Sequence, residues 1–226
     1  MKGYIEEILC IGAEKFQVQL VPRHVELFNT YMVELKKWNS KTNITAIHDD
    51  QEIVIKHFID SISPSKYIPP YSSILDIGSG GGFPGIPLKI ADPSLEVTLL
   101  DSTLKKIHFQ KHIIRLLQLD RVTPIHARAE DRELYNKLNS SFDVVISRAF
   151  SDLGKLMTIG IPYIRDSGVL IAMRGRGAKN ELASIKYKLI PLGLKVFEPG
   201  EFSLPYSHEK RSLILFSKSF SRDPLP

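Results

Sequence analysis

Apolar side chains recur at helical spacing early in the chain. Leu27, Phe28, Tyr31, Met32, Leu35 and Trp38 share one face, with Glu26, Glu34, Lys36 and Lys37 between them, as in an amphipathic helix packed on a core. Asn39-Ser40-Lys41-Thr42-Asn43 ends that helix with residues that favour turns and caps. A second helical stretch is predicted from Gln51 to Ile62, with Ile53, Val54, Phe58 and Ile62 inward. Residues 1–67 thus read as helical, and Pro69-Pro70 is the best boundary. From Ser73 the period changes. Short β-branched runs at Ile74–Ile77, Val97–Leu100, Thr123–His126, Asp143–Ile146, Val169–Met173 and Leu213–Phe216 alternate with helix-like segments near Gly85–Ala91, Leu104–Leu119, Leu153–Ile164 and Asn180–Leu192. Such alternation predicts an α/β fold: a doubly wound sheet with right-handed crossovers.

Composition narrows the class. In 226 residues, 43% are hydrophobic and 24% charged, which excludes a disordered chain. The expected organisation is a helical N-terminal extension, 1–70, and one domain, 71–226. No apolar run is long enough to span a bilayer, and Glu6 and Glu7 stand where a secretory signal needs basic residues. Cys10 is the single cysteine, so an intramolecular disulfide and a cysteine-rich zinc site are excluded and a reducing cytoplasm is expected. The net charge of +5 is unevenly spread: residues 1–70 carry 8 Lys/Arg against 9 Asp/Glu, and residues 71–226 carry 22 against 16. A polyanionic partner would therefore meet the second part.

The chemistry concentrates at strand ends. Ile74-Leu75-Asp76-Ile77 runs into Gly78-Ser79-Gly80-Gly81-Gly82-Phe83-Pro84-Gly85, a strand, a glycine loop and a helix start that let backbone N–H groups approach a ligand. The loop satisfies both a dinucleotide pattern and the D-x-G-x-G-x-G pattern of class I methyltransferases. Asp101 ends the next strand about twenty residues on, where a carboxylate can accept hydrogen bonds from ribose hydroxyls. After the third strand, where class I methyltransferases set a residue pair along the adenine, the resemblance to them makes Ala129 and Glu130 candidates, while Glu130 and Asp131 read equally well as acids in the first turn of a helix. Phe142–Phe150 ends in Ser147-Arg148-Ala149-Phe150, where Arg148 is either a surface ion pair or part of the site. No Asn- or Asp-Pro-Pro-aromatic motif and no nearby cysteine is present, which disfavours exocyclic-amine and pyrimidine-C5 methylation. His108 and His112 stand at i, i+4 without a third ligand, so no metal site is expected. His57 and Asp60 share a helix face, where they either bond each other or serve a substrate.

Together, Trp38-Asn39-x-x-x-Asn43-Ile44-Thr45, His57-x-x-Asp60-Ser61, Asp76–Leu88, Leu100-Asp101-Ser102 and Ser147-Arg148-Ala149-Phe150 resemble the glucose-inhibited division protein B family. These are bacterial small-subunit (16S) ribosomal RNA guanine-N7 methyltransferases, and the resemblance covers nearly the whole chain. It implies a Rossmann-like class I methyltransferase sheet and S-adenosylmethionine as methyl donor, held by Gly78, Phe83, Asp101, Ala129, Glu130 and Arg148. It also implies 16S ribosomal RNA or the small ribosomal subunit as partner, with no membrane; the sequence does not give the oligomeric state, for which a monomer is favoured. Guanine N7 carries a lone pair and no proton, so no general base is assigned, and Arg148 is the organiser near the methyl. Candidate phosphate contacts are Arg174, Arg176, Lys179, Lys210 and Arg211. Met173-Arg174-Gly175 departs from the family's usual Lys-Gly, and Lys210 is inserted into its acid–Arg pair at Glu209 and Arg211. The alternatives are a class I methyltransferase of small molecules, a non-catalytic ribosome-assembly RNA-binding factor and, third, a nicotinamide-dependent oxidoreductase.

Overall fold

In a computed structural model the described residues are 2–189, 191–198 and 200–218. Helices α1 (Lys2–Glu14) and α2 (Pro22–Thr42) lead the chain. α2 starts with proline at its first turn and ends on Asn43 in the left-handed conformation, a residue that tolerates it. Helix α3 (Asp50–Ile53), capped by the Asp49 side chain on Glu52 N–H, continues through a π-helical segment, Val54–Ile59, into α4 (Asp60–Ile62). That wider turn explains why more of this stretch points inward than the sequence predicts. Ile55, His57 and Ile59 are buried along with Val54 and Phe58, and π-turns of this kind are frequent at functional sites.

A sheet follows, built of β1 (Ser73–Ile77), β2 (Glu96–Asp101), β3 (Val122–His126), β4 (Phe142–Arg148), β5 (Ile164–Arg174), β6 (Leu194–Phe197), β7 (Glu201–Ser203) and β8 (Lys210–Lys218). Helices α5 (Gly85–Ala91), α6 (Leu104–Leu116), α7 (Arg132–Leu138), α8 (Leu153–Gly160) and α9 (Ala178–Leu189) connect them. The strand order is β3-β2-β1-β4-β5-β8-β6, with β7 also on β8. β1 to β5 pair in parallel and β8 runs antiparallel to β5. All six strands read from the sequence are present. The pattern does not reveal β6 and β7, which have four and three residues, too few to show a period of two. Nor does it outline α7, which buries only Leu134.

Alternation along the strands divides the core. Ile74, Val97, Leu99, Val144, Ile146 and Ile171 face one side and pack with α1, α2 and the π-segment. Leu75, Ile77, Leu100, Val145, Leu170 and Ala172 face the other, with α8 and α9. Helices on both faces leave the strands buried on two sides. The strand order reverses between β1 and β4, so a crevice opens at their C-terminal ends, where doubly wound sheets bind ligands. The helical residues before β1 form one wall of it: Tyr31 is fully buried, stacks on Phe83 at 5.4 Å and donates to Gly81 O at 2.5 Å.

Candidate active site

The glycine loop is fixed from below. Gly78 and Ser79 N–H donate to Leu100 O at 2.8 and 3.1 Å, and Gln110 Nε2 donates to Ser79 Oγ and Gly80 O at 2.9 and 2.8 Å. Gly78 has φ +73°, and a Cβ there would stand 2.8 Å from the Phe150 ring, so only glycine lets the loop pass beneath Phe150. Asp76, fully buried, accepts Gly85 N–H at 2.8 Å on one oxygen while its other has no partner. Burial pushes its carboxyl up to about 7.

Over this loop lies a cavity of about 350 Å³, lined by Gly78, Asp101, Ala129, Glu130, Arg148 and Phe150 among others. Five of the six residues proposed for the methyl donor thus share one space. Asp101 is held by two backbone donors, Gly80 N–H on Oδ2 and Thr103 N–H on Oδ1, both at 2.8 Å. Each oxygen keeps a second acceptor direction. The two adjacent acids divide the two readings of their segment. Asp131 caps α7 by accepting Glu133 and Leu134 N–H, and Glu130 lines the cavity, paired to Lys155 at 3.1 Å. Phe83 is not a wall of this space. Its ring is drawn into an aromatic stack, 4.4 Å from the His57 ring, with the Arg148 guanidinium 5.2 Å from its centroid. It therefore acts on the cavity only through Arg148.

A second cavity, about 510 Å³, adjoins the first. Its lining includes Ile47, Lys56, His57, Asp60, Met173, Glu209 and Arg211. Arg148 and Ala149 line both cavities, and Ala149 takes a left-handed turn there, φ 55°, an unusual backbone for a residue with a Cβ. Arg148 donates to Lys56 O at 2.7 Å, contacts His57 Nδ1 at 3.1 Å and lies 3.6 Å from Asp60. Arginine only donates, so His57 Nδ1 accepts and the proton sits on Nε2, which faces Thr45 Oγ1 at 2.7 Å. Burial, reinforced by Arg148, lowers His57 to about 3, and the ring is neutral. His57 and Asp60 share their helix but do not bond each other, because each is turned to a different partner. Asp60 pairs with Arg211 at 3.2 Å. Burial raises its carboxyl and the two arginines oppose that.

The proposed phosphate contacts separate into two groups. Arg174 is buried, 3.4 Å from both Phe150 O and Glu181. Arg211 bonds Glu209 at 2.7 Å as well as Asp60, so the acid–Arg pair survives the inserted Lys210. Arg176 and Lys179 are exposed and Lys210 is half-buried. His112 meets Glu34 at 2.7 Å. Thr45 and Asn39 have no site role in the sequence reading, and Glu209 appears there only in the acid–Arg pair. Asn39 Oδ1 accepts Thr45 N–H at 2.9 Å, so the Asn-Ile-Thr segment is the support behind His57.

Comparison with known proteins adds the following. The sequence model of the family described as rRNA small subunit methyltransferase G (GidB) matches residues 24–205. A protein named ribosomal RNA small subunit methyltransferase G from Geobacter sp. (strain M21) is 44% identical over 95% of this chain and 98% of its own length. Its namesake from Acetivibrio thermocellus is 39% identical over 95% and 88%. Among solved structures, P. horikoshii TYW2 in complex with MeSAdo aligns with a TM-score of 0.58 at 13% identity, covering 72% of this chain and 63% of that one. Trm5b from Pyrococcus abyssi aligns at 0.57 and 19%, covering 78% and 52%. At such identities these two share the fold alone.

Proposed function

We infer the function from the premise that the chain belongs to the rRNA small subunit methyltransferase G (GidB) family. It is a methyltransferase of small-subunit ribosomal RNA, with a class I Rossmann-like sheet. The reaction we assign is methylation of N7 of one guanine in 16S RNA. The observation that carries this reading is the pair of cavities meeting at Arg148 and Ala149, one with the groups a nucleoside donor needs and one open for a base.

S-adenosylmethionine, when bound, supplies an electrophilic methyl on its sulfonium. The donor set at the first cavity suits it. The Asp101 oxygens have free acceptor directions for ribose hydroxyls, Ala129 offers a flat apolar wall beside Glu130, and Gly78 leaves the loop backbone bare. The chain needs no group to remove a proton, because guanine N7 has none. The junction agrees: His57 is neutral with both ring nitrogens engaged, so no imidazole stands ready for proton transfer. What the residues provide is placement and a fixed positive charge at Arg148, held by Lys56 O, His57 and Asp60. Exposed Arg176 and Lys179 are suited to contact phosphates at the rim. One chain carries both cavities, so a monomer suffices. Among the described residues no helix is long and apolar enough to cross a membrane, and a ribosomal substrate supports a cytoplasmic place of work.

The test is methyl transfer from labelled S-adenosylmethionine to small subunits from cells lacking the protein, with digestion to nucleosides and mass spectrometry. One added 7-methylguanosine is expected. Transfer to another atom or to no nucleoside would refute the reading.

A further inference from the structure

Among the side-chain acceptors lining the second cavity, one buried oxygen has no donor. Asp60 lines the cavity, is 3% exposed, and gives Oδ2 to Arg211 Nε at 3.2 Å, while Oδ1 has no hydrogen-bond partner. A buried carboxylate oxygen without a donor is costly unless a ligand completes it. Each of the other side-chain acceptors in the lining already has a partner. Glu209 gives Oε1 to Lys56 at 2.9 Å and Oε2 to Arg211 at 2.7 Å, and both His57 nitrogens are engaged. Ile47 and Met173 supply apolar surface for the faces of a flat ring, and the volume lies in the range of small-ligand sites.

A guanine methylated at N7 must leave that nitrogen free toward the first cavity. Its identity must then be read elsewhere, at O6, which accepts, and at N1–H and N2–H, which donate. Arg148 and Arg211 can serve only O6, because guanidinium groups only donate. We propose that Asp60 Oδ1 accepts the N1–H and N2–H of the target guanine and so selects guanine for this methyltransferase. Adenine presents an acceptor at N1 and has no 2-amino group, so the same oxygen rejects it. The assignment rests on the second cavity being the seat of the target base.

Inosine lacks only the 2-amino group and keeps N7, O6 and N1–H. Small subunits reconstituted on splint-ligated 16S RNA carrying guanosine or inosine at the methylated position provide the test. The unaltered enzyme should favour guanosine by about 10- to 100-fold in kcat/KM, as expected for one hydrogen bond to a charged group. D60N should bind S-adenosylmethionine within about threefold of the unaltered protein while its guanosine-to-inosine ratio falls toward one. Equal rates on the two RNAs in the unaltered enzyme, or a ratio undiminished in D60N, would overturn the assignment. Where D60N does not fold or transfers to neither RNA, the ratio of the unaltered enzyme decides. No transfer even to guanosine subunits would instead strike the functional reading on which the assignment rests.

Discussion

Replacing Thr45 with valine removes one oxygen from the hydrogen-bond chain behind Arg148 and changes almost no volume. Thr45 Oγ1 faces His57 Nε2 at 2.7 Å and accepts Ile47 N–H at 3.1 Å. Because Arg148 donates to Nδ1, the His57 proton is on Nε2 and Thr45 is its acceptor. In T45V the ring must either leave Nε2–H unpaired or move the proton to Nδ1, against the guanidinium. His57 is 8% exposed, so an unpaired donor there costs about 1–3 kcal/mol, and the half-buried Ile47 N–H adds about 1. A loss of about 2–4 kcal/mol corresponds to a Tm lower by roughly 4–16 °C for a chain of this size. Function should follow, because Arg148 walls both cavities. We expect kcat/KM for methyl transfer to fall about tenfold, with S-adenosylmethionine affinity changed far less, since the Asp101 anchors are independent. Thermal denaturation, transfer kinetics and ¹⁵N imidazole spectra together check this, and T45S should restore the oxygen and most of the activity. A proton on Nδ1 in the unaltered protein, or a T45V variant with unchanged Tm and unchanged transfer, would refute the reasoning.

Asp101→Asn leaves one carbonyl oxygen to do the work of two charged ones, so S-adenosylmethionine affinity measured by calorimetry should drop about 10- to 100-fold; an unchanged affinity would remove Asp101 from the site. Burial holds His57 at about 3 against an ordinary 6.5, so between those values the unfolded chain binds a proton that the folded chain refuses. Its contribution is full above about pH 6.5 and is lost as pH falls toward 3, with a slope of up to about 1.4 kcal/mol per unit. Urea titrations of unaltered protein and H57Q should differ by that slope. Asp76, raised to about 7, acts with opposite sign in both proteins and cancels in the difference. Tyr31→Phe leaves Gly81 O without its buried donor and should cost about 1–3 kcal/mol in urea denaturation, and a change below about 0.5 would show that the bond contributes little. R176A/K179A should flatten the salt dependence of transfer without changing the guanosine-to-inosine ratio, and a changed ratio would place those cations at the base instead.

The long elements were legible because their patterns are long. Six strands follow from short β-branched runs and the buried stripe of α2 from helical spacing. Asp76, Gly78 and Asp101 are legible because each stands at or near a strand end in or beside the glycine loop, whereas Glu130 lies four residues past β3 and enters through the resemblance. Phe83 shows where a motif stops informing. The resemblance places it next to the ligand, but His57, Tyr31 and Arg148 supply a stack that takes the ring away from the cavity. Arg174 reads as an exposed cation after a strand, whereas it is buried with Glu181 of α9 against it and lines the second cavity. The local sequence alone leaves Arg148 between two roles, a surface ion pair and part of the site. Its partners Lys56 and His57 stand more than 90 residues earlier, and no local pattern records a contact at that range.

Charge acquires a different meaning at the junction of the two cavities. Composition concentrates the basic excess after residue 70, which suggests a cationic surface around the site. The cations lining the second cavity are mostly matched: Lys56 by Glu52 and Glu209, Arg211 by Glu209 and Asp60, Arg148 by Asp60. Such pairs add little long-range attraction for RNA, but they hold donors and acceptors at fixed places where a base is read. In the proposed reading, long-range attraction falls to exposed residues such as Arg176 and Lys179, outside that lining. Affinity for the polyanion and choice of the base therefore reside in different side chains. Asp60, proposed to make that choice, lies in the helices before β1, where the sequence carries no net basic charge at all.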